Sequence, residues 1–174
     1  MPELDRVANR ILSFYGGAGE DHAGRRWDDI LRWPDERLEQ VHDFIQWLFP
    51  LPEPSPVNPL APVLDRETIA AFAARPELRA NLRASLERML RFYGLDLRDG
   101  PTVTRTANFA ARARNWLTPN NHNHLRITRI LRCCWLLGLG AEARAFLAAL
   151  EEIDGDCPGA ITARSLQFWR GAAT

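Results

Sequence analysis

The chain has 174 residues, a length that one hydrophobic core can cover before division into several becomes favourable. Its 22 basic and 22 acidic residues cancel, which removes the broad basic excess of a nucleic-acid binder or of a protein held on anionic membrane. Hydrophobic residues at 46%, six Trp and eight Phe among them, supply enough surface to bury that wholesale disorder is excluded.

In chain order, Leu4, Val7, Ile11, Leu12 and Tyr15 recur at helical spacing, and Gly16-Gly17 end that helix. A Gly-containing loop to Arg26 and a short turn over Trp27 to Leu31 follow. Pro34 belongs at the start of a second long helix that buries Leu38, Val41, Ile45 and Leu48 and stops at Pro50. Six of the twelve prolines lie between Pro50 and Pro62, which predicts an extended segment; its Leu51, Val57, Leu60 and Val63 make it an ordered strap rather than a linker.

Asp65 caps the next helix, and Pro76 opens a stronger one that carries Leu78, Leu82, Leu86, Met89, Leu90 and Tyr93 before Gly94. After the loop LDLRDGP, Thr102 or Thr104 caps a helix to about Leu117. The turn TPNNHNH feeds the helix LRITRILRCCWLLG, then come a helix with Phe146, Leu147, Leu150 and Ile153 and a last one with Ile161, Phe168 and Trp169. No alternating strand pattern stands out, so the fold class is all-α: a single compact array of about seven or eight helices with a Pro-rich extended strap, one domain over residues 1–174.

Standard catalytic signatures are absent: no Gly-Lys-Ser/Thr phosphate loop, HExxH, GxSxG or CxxC. Every basic residue is arginine, attributed first to codon bias in a GC-rich genome and second to planar anion recognition, so no lysine is present for Schiff-base chemistry. Three cysteines, Cys133 and Cys134 adjacent, argue against a disulfide framework and fit a reducing, cytoplasmic compartment; neither metal site nor cofactor is expected. The N-terminus lacks a signal-peptide pattern, and no stretch reaches the roughly 18 apolar residues of a membrane span.

One constellation stands out. A helix starting near Asn121 or Asn123 puts His122, Arg126, Arg129 and Cys133 on one stripe, opposite the apolar Ile127, Ile130, Leu131, Cys134 and Leu137. Two arginines and a histidine beside the first amides of a helix suit a carboxylate or phosphate, although cations there forgo roughly 0.3–1 kcal/mol each of dipole stabilisation. The plainer alternative is that Arg126 and Arg129 pair with acidic residues or cover a solvent face. His124 points away and reads as a packing histidine. The second place of interest is HDFIQWLFP with the strap, where His42, Gln46, Trp47 and Asn58 are polar; core packing of Trp47 and a side-chain turn at Asn58 are the plainer and favoured account of them.

The segments HDFIQWLFPLPEPSPVNPLAP, LERMLRFYGL and NNHNHLRITRILRCCWLLGL, in that order, resemble the conserved region of the opioid growth factor receptor family, with weaker echoes in RILSFYGG and SLQFW. The resemblance covers roughly residues 4 to 170. It implies an all-α domain and a receptor for an enkephalin-like opioid peptide acting at the nucleus in animals. The chain departs from the animal pattern: it ends just after the conserved region, without C-terminal repeats or a basic import cluster, and looks like a prokaryotic member. The functional expectation is a non-enzymatic binding module that takes a small anion or a peptide carboxylate at His122, Asn123, Arg126 and Arg129, with Trp47 and Asn58 nearby and no nucleic-acid partner. The alternatives are an enzyme acting on a nucleotide or phosphorylated metabolite with His122 or His42 as acid and base, and a purely structural or protein-interaction domain.

Overall fold

A computed structural model describes residues 10–174, so the expected stretch of the first helix from Leu4 lies outside the described residues. The chain divides into two compact units, Met1–Ser85 and Leu86–Thr174, each described by itself.

In the first unit, α1 occupies residues 10–15, followed by α2 (Trp27–Leu31), α3 (Asp35–Gln40), α4 (Ile45–Leu48) and α5 (Arg66–Ala74). Helix α6 (Pro76–Tyr93) begins here, and the division falls within it. The core is aromatic: Phe14 meets Trp47 at 5.4 Å between ring centroids, Tyr15 meets Phe72 at 5.3 Å and Trp33 meets Phe44 at 5.6 Å. Asp65 caps α5 as expected, its carboxylate accepting from the Thr68 amide at 2.7 Å.

Two expectations for this unit are corrected. The single helix from Pro34 to Pro50 is two helices, because Val41 turns extended (φ −93°, ψ 130°) and the chain restarts at Phe44. The Asp43 carbonyl, which a continuous helix would offer to its own next turn, instead accepts from the Asn58 side chain at 3.4 Å. The strap is not extended throughout: Leu51 and Val63 pair as a parallel bridge, and the Leu64 amide donates to Leu51 at 2.9 Å. Between those ends Asn58 closes a turn, its side chain accepting from the Leu60 amide at 3.2 Å. The prolines form an ordered loop with joined ends, and Val57 and Leu60 stand out of it at 83% and 63% exposure.

The second unit holds β1 (Leu95–Arg98), β2 (Thr102–Arg105), α7 (Phe109–Ala113), α8 (Asn123–Leu136), α9 (Gly140–Asp156) and α10 (Ala163–Ala172). The all-α expectation holds in that the described residues are mostly helical, but two strands depart from it and replace the helix foreseen from Thr102: they form an antiparallel hairpin with Leu95 opposite Arg105 and Arg98 opposite Thr102. Asp99-Gly100 turns it, with Gly100 at φ +123°, and β-branched Thr102, Val103 and Thr104 favour the pleat over a helix. Among the described residues there are ten helices, more than the seven or eight expected. Gly94 ends α6 at φ +81°, where an added Cβ would lie 2.8 Å from the Phe109 Cα, so no other residue fits. Helices α8, α9 and α10 enclose Ile127, Ile130, Leu131, Phe146, Leu150 and Trp169.

Candidate functional site

The loop between α1 and α2 closes on itself through a bridge between Glu20 and Arg26 and a hydrogen bond from the Asp21 amide to the Arg25 carbonyl at 2.9 Å. The Asp21 carboxylate is excluded from solvent; it accepts from the amides of Ala23 and Arg25 and from Arg25 Nε at 2.6 Å. Arg25 Nη1 continues to Asp43 Oδ1 at 2.8 Å, and Asp43 Oδ2 lies 3.0 Å from His22 Nε2. Burial alone would raise the Asp43 carboxyl; the hydrogen bond and charge of Arg25, then the hydrogen bond from His22, outweigh it and hold the group below its ordinary value.

Trp47 completes the chain, its indole N–H donating to His22 Nδ1 at 2.9 Å. An indole can only donate, so Nδ1 accepts and the ring proton sits on Nε2, facing Asp43. Both ring nitrogens of His22 are therefore occupied. The imidazole lies nearly parallel to the indole, at an interplanar angle of 21°.

Against this network lies a recess of about 420 Å³ lined by Arg10, His22, Pro59, Leu60, Ala61, Pro62, Val63 and Asp65. The guanidinium of Arg10 sits 4.9 Å from the centroid of the Trp47 ring, a cation–π distance. Asn58 holds the proline loop in place from below, donating to Gln46 Oε1 at 3.3 Å as well as to the Asp43 carbonyl. Trp47 and Asn58 thus belong to the support of the recess: Trp47 is fully buried and Asn58 is 8% exposed. His42 is exposed.

The other expected residues lie in the second unit on α8. Arg126 is 5% exposed, with Nη1 3.4 Å from Asn123 Oδ1; Arg129 is half-buried and His122 exposed. Asn123 is fully buried and reaches His122 Nε2 at 3.4 Å, so His122, Asn123 and Arg126 form one chain of polar contacts. The first amides of the helix are spent on its own turn: Asn123 donates to Asn121 Oδ1 at 2.9 Å, His124 to the Asn121 carbonyl and Leu125 to the His122 carbonyl. Cys133, at the far end of the stripe, is fully buried.

His124 is the packing histidine anticipated. Its Nε2–H donates to the Trp116 carbonyl at 2.9 Å, its Nδ1 faces Ser165 Oγ at 3.2 Å, and its own carbonyl accepts from Trp169. Burial pulls its pKa down against the opposing hydrogen bond to Trp116, and His122 pulls the same way as burial. Burial likewise pushes the thiols of Cys133 and Cys134 up, so both stay protonated. Sequence reasoning missed Arg10, Asp21, His22, Arg25 and Asp43. The available signal was EDHAGRR, which concentrates charge in a segment otherwise readable as a glycine loop.

These features define a mostly helical chain whose buried polar groups fasten loops and whose first unit presents a recess of mixed polarity. The chain belongs to the opioid growth factor receptor conserved-region family, whose model matches residues 10–151. It is 46% identical to the mouse opioid growth factor receptor over 117 residues, which is 64% of this chain and 18% of the relative. To the human opioid growth factor receptor it is 44% identical over 117 residues, 64% of this chain and 17% of that protein. With mouse opioid growth factor receptor-like protein 1 the identity is 39% over 109 residues, 59% of this chain and 22% of that protein. The chain thus spans about a fifth of the length of the curated relatives it matches. No solved structure matches it. No helix among the described residues is long and apolar enough to cross a membrane.

Proposed function

We propose that the chain is a binding module that takes a peptide at the recess of Arg10, His22 and the proline loop and performs no chemistry on it. The observation that supports this best is the occupation of both ring nitrogens of His22. The wall residue suited to proton transfer offers a ligand neither a lone pair nor a proton. What faces the recess is an apolar wall with one guanidinium and one carboxylate, a mixture suited to a peptide. The relatives are named receptors for an opioid growth factor, and a peptide ligand is the coarse property that such a name lends this chain.

Titration of the 15N-labelled chain with an enkephalin-like pentapeptide and, separately, with inorganic phosphate tests the reading. The peptide is expected to move the amide signals of Arg10, His22, Leu60, Ala61 and Val63. Shifts confined to α8, or none, refute it.

A second reading keeps the anion site at His122, Asn123, Arg126 and Arg129, favoured by the chain of polar contacts that joins His122, Asn123 and Arg126 at the start of α8. Phosphate would then move those signals. Arg126→Leu separates a ligand role from a structural one: the first costs under roughly 1 kcal/mol of stability while binding is lost. The second, by leaving a buried partner without its charge, costs about 3–5 kcal/mol.

A further inference from the structure

We propose that the recess recognises the free carboxyl terminus of a peptide whose last residue is apolar, with Arg10 taking the carboxylate and the proline loop the side chain. This rests on the peptide-binding reading above. Arg10 is the one arginine among the described lining residues, and His22 adds no second cation in the bonded state, because its Nδ1 accepts from Trp47. The face of Trp47 braces the Arg10 guanidinium, so its planar fork is directed before a ligand arrives and matches a carboxylate bidentately.

Asp65 belongs to the same lining and is fixed there by the Thr68 amide. A carboxylate opposite one guanidinium repels a second negative charge, which disfavours a phosphate dianion and favours a monoanion. The rest of the wall is Pro59, Leu60, Ala61, Pro62 and Val63, and Leu60 at 63% exposure is an apolar side chain awaiting cover. A volume of about 420 Å³ suits the last one or two residues of a chain rather than a folded partner. The bridge between Leu51 and Val63 and the turn at Asn58 hold the loop in place, so little conformational entropy is lost on binding.

Calorimetric titration of the full chain with an N-acetylated tetrapeptide ending in leucine, as free acid and as amide, decides the matter. The acid is expected to bind about tenfold tighter or more, the worth of one charge-assisted hydrogen bond. In Arg10→Gln that difference vanishes while the melting temperature falls by no more than about 2–4 °C, since Arg10 is exposed and gives up only its contact with the Trp47 ring. Equal binding of acid and amide overturns the terminus proposal and leaves the peptide-binding reading standing, and so does failure of both tetrapeptides while the pentapeptide still shifts the recess signals. A preference for acid that survives Arg10→Gln overturns the role of Arg10. If no peptide shifts those signals, both fall.

Discussion

Replacing Arg25 by Met tests whether the loop that carries His22 is held by charge. Asp21 is excluded from solvent and loses its contact to Arg25 Nε, while the amides of Ala23 and Arg25 remain on its other oxygen. Removing one partner of a buried pair costs about 3–5 kcal/mol, and the two remaining amides place this case near the lower end. Arg25 also lies 5.4 Å from the Trp33 ring centroid, a contact worth about 0.5–1 kcal/mol. Asp43 adds little, because its side chain is 44% exposed and water replaces the lost guanidinium. The sum is roughly 3–4 kcal/mol, a large part of the 5–15 kcal/mol typical of a domain and readable by urea denaturation. The double variant Asp21→Asn, Arg25→Met removes the stranded charge and should recover more than half of the loss. A loss below about 1 kcal/mol in the single variant, or a double variant as unstable as the sum of its parts, refutes the reasoning.

Two further outcomes follow from buried titratable groups. Burial lowers the folded pKa of His124 below 6.5, so as pH falls the unfolded chain protonates first: stability is complete above about 6.5 and declines below it, by at most about 1.4 kcal/mol per pH unit until the folded ring also protonates. Denaturation between pH 7.5 and 5 should show that decline in the parent chain and less of it in His124→Gln. Cys133 and Cys134 are buried with raised pKa values and Cys157 is half-buried, so a thiol reagent should titrate one thiol in the native chain and three in denaturant. Rapid labelling of all three without denaturant would contradict that burial.

What was legible in the sequence was whatever neighbouring residues decide. The apolar period of α6, its stop at Gly94 and the Asp65 cap are each set within one or two helical turns, and they stand as expected. The break at Val41 was illegible because the group that bonds the Asp43 carbonyl there is the Asn58 side chain, 15 residues downstream. The strands were misread for the opposite reason: the local signal was present in Asp99-Gly100 and Thr102 to Thr104, and the small residues after it suggested a helix that proved only five residues long. Phe168 follows the helical period inward yet is 51% exposed, because Trp169 takes the buried side of α10 and bonds the His124 carbonyl. At the candidate site the chemistry on α8 was visible as a stripe, whereas the links from His22 and Arg25 to Asp43 and Trp47 join residues 18 to 25 apart, which no period reveals.

The same kind of contact recurs in both units and bears on what the chain can do. Four of the six tryptophans spend their indole N–H on fixing another segment: Trp27 on Ser85, Trp47 on His22, Trp116 on the Tyr93 carbonyl and Trp169 on the His124 carbonyl. An indole N–H buried without a partner is costly, so each of these bonds fixes a loop or helix end at one place. The price is paid in reactivity, because the histidines drawn into these networks lose their nitrogens to them. His22 gives one to Trp47 and one to Asp43; His124 gives one to Ser165 and one to Trp116. The remaining two, His42 and His122, are exposed, so neither has the dry setting that sharpens acid–base chemistry. Tightly fixed aromatic and histidine groups behind an apolar wall suit a surface that holds one shape for a ligand, which is the setting the proposed binding role uses.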